Sequence, residues 1–566
     1  MQPRSLIVER DVPVVMRDGV TLRADVYRPT TDERLPVLLQ RTPYGKNFSN
    51  AALGLLAAER GYVAVFQDTR GRWNSEGADI PFVHEKADGH DTVNWAAGQP
   101  WSNGKVGMFG GSYLGYTQIA SAVTHPPALK AIVPHMAMCD LYDVTFVGGA
   151  VGLGLGVSWG LGSLAPMAIL RQEPAAQPAL MEQLVAAIDG MARGETFRRT
   201  PLVDMPLIGR QGLVPWFSDL LGYPRDHEFW RSQACAPADI TIPALHVGGW
   251  YDVFAAHTVR DFAAVRAAGN TQQKLLMGPW YHGPMDGWVG EVDFGMAASG
   301  GAIMFDEIQL RWFDHWLKGN ENGIMEEPAV RLFVMGRNRW RTEDAWPLAR
   351  ARDTAYYLHS GGAANTLHGD GMLSTEPPGD EAADTYLYDP RNPVPTRGGG
   401  LCCSSAALTA GAFDQRAIEA RPDVLVYTTP ILQEDVEVTG VIRLHLWAAT
   451  NAPDTDFTAK LVDVGPCGFA RNLCDGILRG RHMAGGRLEP GRAYEWVIEL
   501  GPTSNVFLAG HRIRLEVASS NFPRYDRNLN TGESIGEGTA MRSALQTVLH
   551  DSAHASRLIL PIVPDA

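Results

Sequence analysis

Val106-Gly-Met-Phe-Gly-Gly-Ser-Tyr-Leu-Gly-Tyr-Thr-Gln-Ile-Ala-Ser-Ala122 joins an apolar run to a glycine-rich turn and then, without a break, to helical spacing. Small residues gather at a sharp strand-to-helix turn because a side chain held at its apex leaves little room for neighbouring Cβ atoms. The turn sets Ser112 at a helix N-terminus, where partial positive charge favours a developing anion. The general G-x-S-x-G pattern is not met strictly, since Leu114 stands where the second glycine belongs and Gly115 follows it. From this stretch alone, a nucleophilic serine competes with a plain βα turn capped by a serine.

The flanking sequence repeats the same alternation. Pro36–Gln40, Tyr62–Phe66, Lys105–Phe109 and Leu129–Val133 are short apolar runs followed by turn residues, with helical spacing between them, as in Glu85–Gly98. Ile242–Val247 and Gln273–Met277 are two later runs of this kind. Strand and helix in alternation predict an α/β fold with a mostly parallel sheet covered on both faces. The intervening residues, roughly 143–240, lack strand signals and read as helices, for example Pro178–Ala192, inserted into the sheet domain. From about 326 the period becomes two, in Ala329–Val334, Thr354–Leu358, Thr439–Trp447, Asp456–Asp463 and His511–Val517. Those alternating strands predict a C-terminal β-sandwich of jelly-roll type. The expected division is therefore 1–142 with 241–325 as the catalytic α/β domain, 143–240 as a helical cap, and 326–566 as the β domain.

Composition narrows the function classes. Of 566 residues 45% are hydrophobic and 20% charged, which excludes a disordered chain. Lys and Arg number 49 against 63 Asp and Glu, a net charge of −14, and no basic run stands out, so nucleic acid is not an expected partner. The six cysteines are too few and too irregularly spaced for a disulfide framework or a zinc site, and most are expected to be buried thiols. Residues 1–11 meet charge early and hold no apolar run of secretory length, so a cytoplasmic location is expected. Val144–Leu170 is the most apolar region, but its glycines, Trp159 and Pro166 speak against a membrane span.

A serine hydroxyl is barely ionised at neutral pH and needs a base in hydrogen-bond reach and an acid to orient that base. On this kind of sheet the chain order is Ser, then Asp or Glu, then His, the last two after late strands. Leu245-His-Val-Gly-Gly-Trp-Tyr-Asp252 and Leu275-Leu-Met-Gly-Pro-Trp-Tyr-His282 supply both. Order and position together select Ser112, Asp252 and His282 from 16 histidines and many carboxylates, whereas His246, inside a strand, reads as structural. An oxyanion needs donors, each worth roughly 2.7 to 4 kcal/mol where one has been removed. The Tyr113 amide is one candidate, and the hydroxyl of Tyr44, in the loop Gln40-Arg-Thr-Pro-Tyr-Gly-Lys46, is the other; a turn tyrosine packed on the sheet is its equal alternative. Trp159, Trp216 and Phe254 are candidates to line an acyl pocket or, equally, simply to fill a core.

Arg41-Thr-Pro-Tyr-Gly-Lys46, Gln67-Asp-Thr-Arg-Gly-Arg72 with Ser75-Glu-Gly77, Asp88-Gly-His-Asp-Thr-Val-Asn-Trp95, Gly110-Gly-Ser-Tyr-Leu-Gly115, Gly249-Trp-Tyr-Asp252 and Gly278-Pro-Trp-Tyr-His282 together resemble the cocaine esterase and X-Pro dipeptidyl-peptidase group of serine hydrolases. The G-x-S-Y-x-G form is that group's own pattern. The resemblance implies an α/β-hydrolase core, a helical cap after the sixth strand and a C-terminal jelly roll, with Ser112 as nucleophile, Asp252 as acid, His282 as base, and the Tyr44 hydroxyl and Tyr113 amide as oxyanion donors. It implies a cofactor-independent and metal-free enzyme acting on a small-molecule carboxylic ester, with amide cleavage by an acylase or X-Pro dipeptidyl-peptidase as the alternative. The similar α-amino acid ester hydrolases carry acidic residues where Phe254 and Ala255 stand here, and the dipeptidyl-peptidases usually carry an extra N-terminal domain, so the esterase and glutaryl acylase side fits best. Neither a membrane nor a nucleic acid is implied as partner, and a homodimer is the expectation by analogy.

Overall fold

Ten strands build the larger of two domains in the computed structural model, which describes residues 5–48, 51–403 and 406–564. They are β1 (Leu6–Val15), β2 (Thr21–Pro29), β3 (Leu35–Thr42), β4 (Val63–Asp68), β5 (Ser102–Gly111), β6 (Leu129–His135), β7 (Ala244–Tyr251), β8 (Gln273–Tyr281), β9 (Val330–Val334) and β10 (Arg339–Glu343). Their order across the sheet is β1-β2-β4-β3-β5-β6-β7-β8-β9-β10. From β4 to β9 every neighbour is parallel, and antiparallel strands close both edges. Every residue of β3, β4 and β7 is buried, as expected of strands covered on both faces.

The two-residue period divides each strand between the covering layers. Val37, Leu39, Val63, Val65, Val106 and Met108 pack with Val93 of α2 (Glu85–Ala97) and Ile119 of α3 (Tyr113–Ala122). Leu38, Ala64, Phe66 and Phe109 face the other way, onto Leu53, Ala57, Leu310 and Phe313. Both faces are therefore sealed, and only the C-terminal strand ends are left to hold chemistry.

The insertion after β6 is helical, apart from a short hairpin, Phe146–Val147 with Ala150–Val151, that period alone did not reveal. Its turn, Gly148-Gly149, has φ of 53° and 83° and lies against the C-terminal domain. A Cβ on Gly148 would stand 2.0 Å from the Ile477 carbonyl oxygen, and the Arg479 amide donates to Gly148 O over 2.9 Å. Leu153–Leu170 is apolar and long enough to cross a bilayer, yet 61% of that window is buried. Val157, Leu161 and Ile169 pack there against Ile208, Phe217 and Leu408.

The C-terminal domain is an eleven-stranded, mainly antiparallel assembly whose core, with Leu444, Phe457, Trp496 and Leu515, is continuous with Leu275, Met277 and Trp250 of the catalytic sheet. In hydrogen bonding, the catalytic sheet extends past residue 326. β9 pairs with β8, Leu275 opposite Val330 and Met277 opposite Leu332, and β10 closes the same sheet, so the catalytic sheet runs on to Glu343. Alternation marks a strand but not the sheet it joins, and an edge strand with one wet face alternates like a sandwich strand.

Candidate active site

Ser112 sits between β5 and α3 with φ 61° and ψ −127°, a backbone conformation that costs an L-residue on the order of 1–3 kcal/mol. Its amide donates to the His135 carbonyl over 2.9 Å, which ties the turn to β6. Two of the three nearby glycines are required by space. A Cβ on Gly110 would stand 2.8 Å from Leu114 Cβ, and one on Gly115 would stand 2.6 Å from Ala137 Cβ. Gly111 has room, its nearest neighbour lying at 3.5 Å.

Asp252 follows β7 and His282 follows β8. The His282 Nδ1 and Asp252 Oδ1 atoms are 2.8 Å apart, and the Asp252 side chain is wholly buried. An imidazole donating Nδ1–H to a carboxylate keeps Nε2 as its acceptor. The Phe254 ring meets the His282 imidazole edge-on, with centroids 5.1 Å apart at 82°. His246, by contrast, is buried within β7, bonds Gln273 over 2.9 Å and is held neutral, because burial lowers its pKa to about 4.

Tyr44 lies in the loop after β3. Its hydroxyl faces the cavity that Ser112 lines and accepts a hydrogen bond from Trp159 Nε1 over 3.0 Å. Burial raises the phenol pKa above its usual 10, so the group stays protonated. The Tyr113 amide is the first N–H of α3, one of those that find no partner within a helix. The Tyr113 phenol is fixed by donating to Glu85 over 2.9 Å and accepting from the Phe82 amide over 2.8 Å.

Polar motif residues and their neighbours brace the segments that carry Tyr44 and Tyr113, a role that the spacing of residues did not disclose. Arg41, with no exposed side-chain surface, pairs with Glu85 and donates to Gln67 over 2.8 Å. The Pro43 carbonyl, next to Tyr44, accepts from Arg72 Nε at 2.8 Å and Trp73 Nε1 at 3.1 Å. Arg72 also reaches Ser163 O of the cap at 2.9 Å. The Lys46 ammonium sits among Asp11, Asp25 and Asp68, and its amide donates to Asp68 over 2.7 Å.

Ser112, Tyr44 and Tyr113 share one cavity, about 440 Å³ including its open mouth, with Trp159, Trp216 and Phe254. Trp159 lies nearly parallel to the Tyr113 ring, 18° apart with centroids at 6.2 Å, and Trp216 meets Trp159 edge-on at 5.0 Å. Met138, Leu141 and Val144 add to an otherwise apolar wall. Cys402 and Cys403, from the C-terminal domain, also line it. They form a disulfide between adjacent residues, which corrects the expectation of thiols for this pair; a search for spaced cysteines passes over neighbours. Cys139 and Cys235 are buried thiols, Cys474 is half-buried and Cys467 exposed.

The X-Pro dipeptidyl-peptidase (S15 family) model matches residues 18–284, and the X-Pro dipeptidyl-peptidase C-terminal non-catalytic domain model matches residues 322–559. The chain is 42% identical over 576 residues to the cocaine esterase of Rhodococcus sp. (strain MB1 Bresler), covering 98% of each sequence. An aminopeptidase from the marine sediment archaeon Thaumarchaeota archaeon superposes with a TM-score of 0.80 at 26% identity, covering 100% of this chain and 98% of that one. An α-amino acid ester hydrolase gives the same TM-score and identity over 99% and 97%.

Proposed function

Because this chain belongs to the X-Pro dipeptidyl-peptidase (S15) family of serine hydrolases, we propose that it hydrolyses small-molecule carboxylic esters through an acyl-enzyme on Ser112. Ser112 Oγ attacks the carbonyl while His282 Nε2 takes its proton and later returns it to the leaving alcohol. Asp252 holds the imidazole in the tautomer this needs and balances the imidazolium that forms. The Tyr44 hydroxyl and the Tyr113 amide donate to the oxyanion. Water then repeats the sequence on the acyl group. These groups complete the cycle without a cofactor.

The observation that carries the proposal is the His282–Asp252 pair at 2.8 Å, set edge-on against Phe254, which lines one cavity with Ser112 and the protonated Tyr44. The apolar walls at Trp159, Trp216 and Phe254 favour an uncharged acyl group. Amide cleavage by the same groups is the second reading, supported by the peptidase description of the family model. Parallel rates on a p-nitrophenyl ester and on dipeptide and glutaryl anilides test the choice; faster anilide turnover would reverse it. A cytoplasmic location belongs to the same proposal; the inward packing of Leu153–Leu170 speaks only against a membrane span there.

A further inference from the structure

The Gly398–Cys403 strap carries the C-terminal domain into the active site. Its base is pinned by paired backbone bonds between Gly399 and Gly411, at 2.7 and 3.0 Å. Gly400 lies against the acid loop, where a Cβ would stand 3.0 Å from the Asp252 carbonyl oxygen. The Ser158 side chain of the cap, whose hydroxyl donates to the Gly154 carbonyl over 2.6 Å, lies 3.3 Å from the Cys402 carbonyl oxygen. The strap thus touches all three units, and at its tip Cys402 is buried while Cys403 is exposed.

Two cavities meet there. One holds Ser112; the other, about 1500 Å³ including its open mouth, lies between cap, sheet and C-terminal domain and is lined by Arg225, Arg260 and Arg524 among others. Among the described residues only Val144, Leu155 and Cys402 line both. We propose that the Cys402–Cys403 disulfide is a redox-responsive partition that sets acyl size: oxidised, it confines the acyl group to the smaller cavity; reduced, it opens that cavity into the larger one. This rests on Ser112 being the nucleophile.

The disulfide closes a ring through the peptide bond joining its two residues, so neither side chain can turn to another rotamer while the S–S bond is intact. A dithiol reductant breaks it in two exchanges. One thiolate attacks the exposed Cys403 sulfur and releases Cys402 as a thiol; the second thiolate of the reductant then displaces Cys403. Two electrons leave the dithiol, which becomes a disulfide, and each cysteine ends with one proton. Cys402 is then free to take another rotamer where the two cavities adjoin. In a reducing cytoplasm disulfides are mainly transient and redox-sensing, which suits this role.

The test compares kcat/KM for p-nitrophenyl naphthoate and acetate on the full chain, as isolated and after reduction by dithiothreitol, with the two new thiols counted. The naphthoate-to-acetate ratio is expected to rise about tenfold or more on reduction, the scale of one methylene's worth of pocket, and to return on reoxidation. Leu155→Ala is expected to raise the ratio without reductant, and the Cys402→Ser/Cys403→Ser double variant to show the raised ratio and ignore dithiothreitol. Should that variant fail to fold, the reversible response of the unaltered chain decides. An unchanged ratio when two thiols have appeared, a disulfide that resists the dithiol, or a double variant that still responds overturns the proposal. Fluorophosphonate labelling of Ser112 in the isolated protein reports separately on the nucleophile, so an unchanged ratio with Ser112 labelled counts against the partition alone.

Discussion

The indole Nε1–H of Trp159 donates to the hydroxyl oxygen of Tyr44 over 3.0 Å. Trp159 belongs to the cap and Tyr44 to the sheet domain, so this bond ties the two and, in the proposed mechanism, fixes the donor that would face the reacting carbonyl. With its oxygen already accepting, Tyr44 keeps its own proton available for the oxyanion of the proposed mechanism. Tyr44→Phe is expected to lower kcat by about 10²- to 10³-fold. Trp159→Phe keeps a ring beside Tyr113 but removes the donor, and a fall of up to about tenfold in kcat with little change in KM is expected from one net hydrogen bond. Steady-state kinetics on one ester check both; equal kcat for Trp159→Phe and the unaltered enzyme would reduce Trp159 to packing.

The turn at Ser112 tolerates a methyl group at one glycine and not at another. Gly115→Ala would push against Ala137 Cβ at 2.6 Å and the His135 carbonyl at 3.0 Å, displacing the start of α3. A displacement near 1 Å is expected to lower kcat by about 10²-fold. Gly111→Ala, whose nearest neighbour is at 3.5 Å, is expected to fall much less. Similar losses in the two variants would show that steric room does not set the turn.

The order Ser112, Asp252, His282 was legible because each residue follows a strand that an apolar run announces, and Val106–Ala122 announces both strand and helix. The strand β9 was legible in the run Ala329–Val334 but not as part of the catalytic sheet, since period two says nothing of which partner accepts the backbone bonds, and β10 was not picked out at all. Trp159 could be named as a cavity residue, while its bond to Tyr44 depends on how the cap folds back, across 115 residues of chain. The place of Cys402 and Cys403 was invisible for the same reason: only the packing of the C-terminal domain on the acid loop brings them to Ser112. Arg41 and Arg72 were legible as motif members and Glu85 only as the start of a helical stretch; their bracing of the Tyr44 loop and the Tyr113 ring depends on hydrogen bonds that spacing does not disclose.

Glu85→Gln would leave the Arg41 guanidinium buried without its main counter-charge. Breaking a buried pair by removing one partner costs roughly 3 to 5 kcal/mol, and a loss toward the lower end is expected because Asp88 stands 3.9 Å from the same guanidinium. Urea unfolding measures it; no change in the midpoint would mean that the pair contributes nothing net.

Buried neutral histidines should make the fold acid-sensitive. Burial lowers the pKa of His246 to about 4, and burial together with Arg260 lowers that of His257 to about 3. Both lie below the unfolded value near 6.5, so the unfolded chain takes up protons first as pH falls. The stability they contribute is complete above about 6.5 and is lost toward pH 4, at up to roughly 1.4 kcal/mol per pH unit for each. His246→Gln is expected to lose about 2 kcal/mol less than the unaltered chain between pH 6.5 and 4.5 in urea unfolding. Parallel pH profiles would contradict this.

The central claim is that Ser112 forms the acyl-enzyme. Labelling the full chain with a fluorophosphonate and mapping the adduct by mass spectrometry, alongside ester turnover by Ser112→Ala, tests it most directly. The expected result is a single adduct on Ser112, with neither labelling nor turnover in Ser112→Ala although its unfolding midpoint is unchanged. An adduct on another residue, or ester hydrolysis retained by Ser112→Ala, would contradict it.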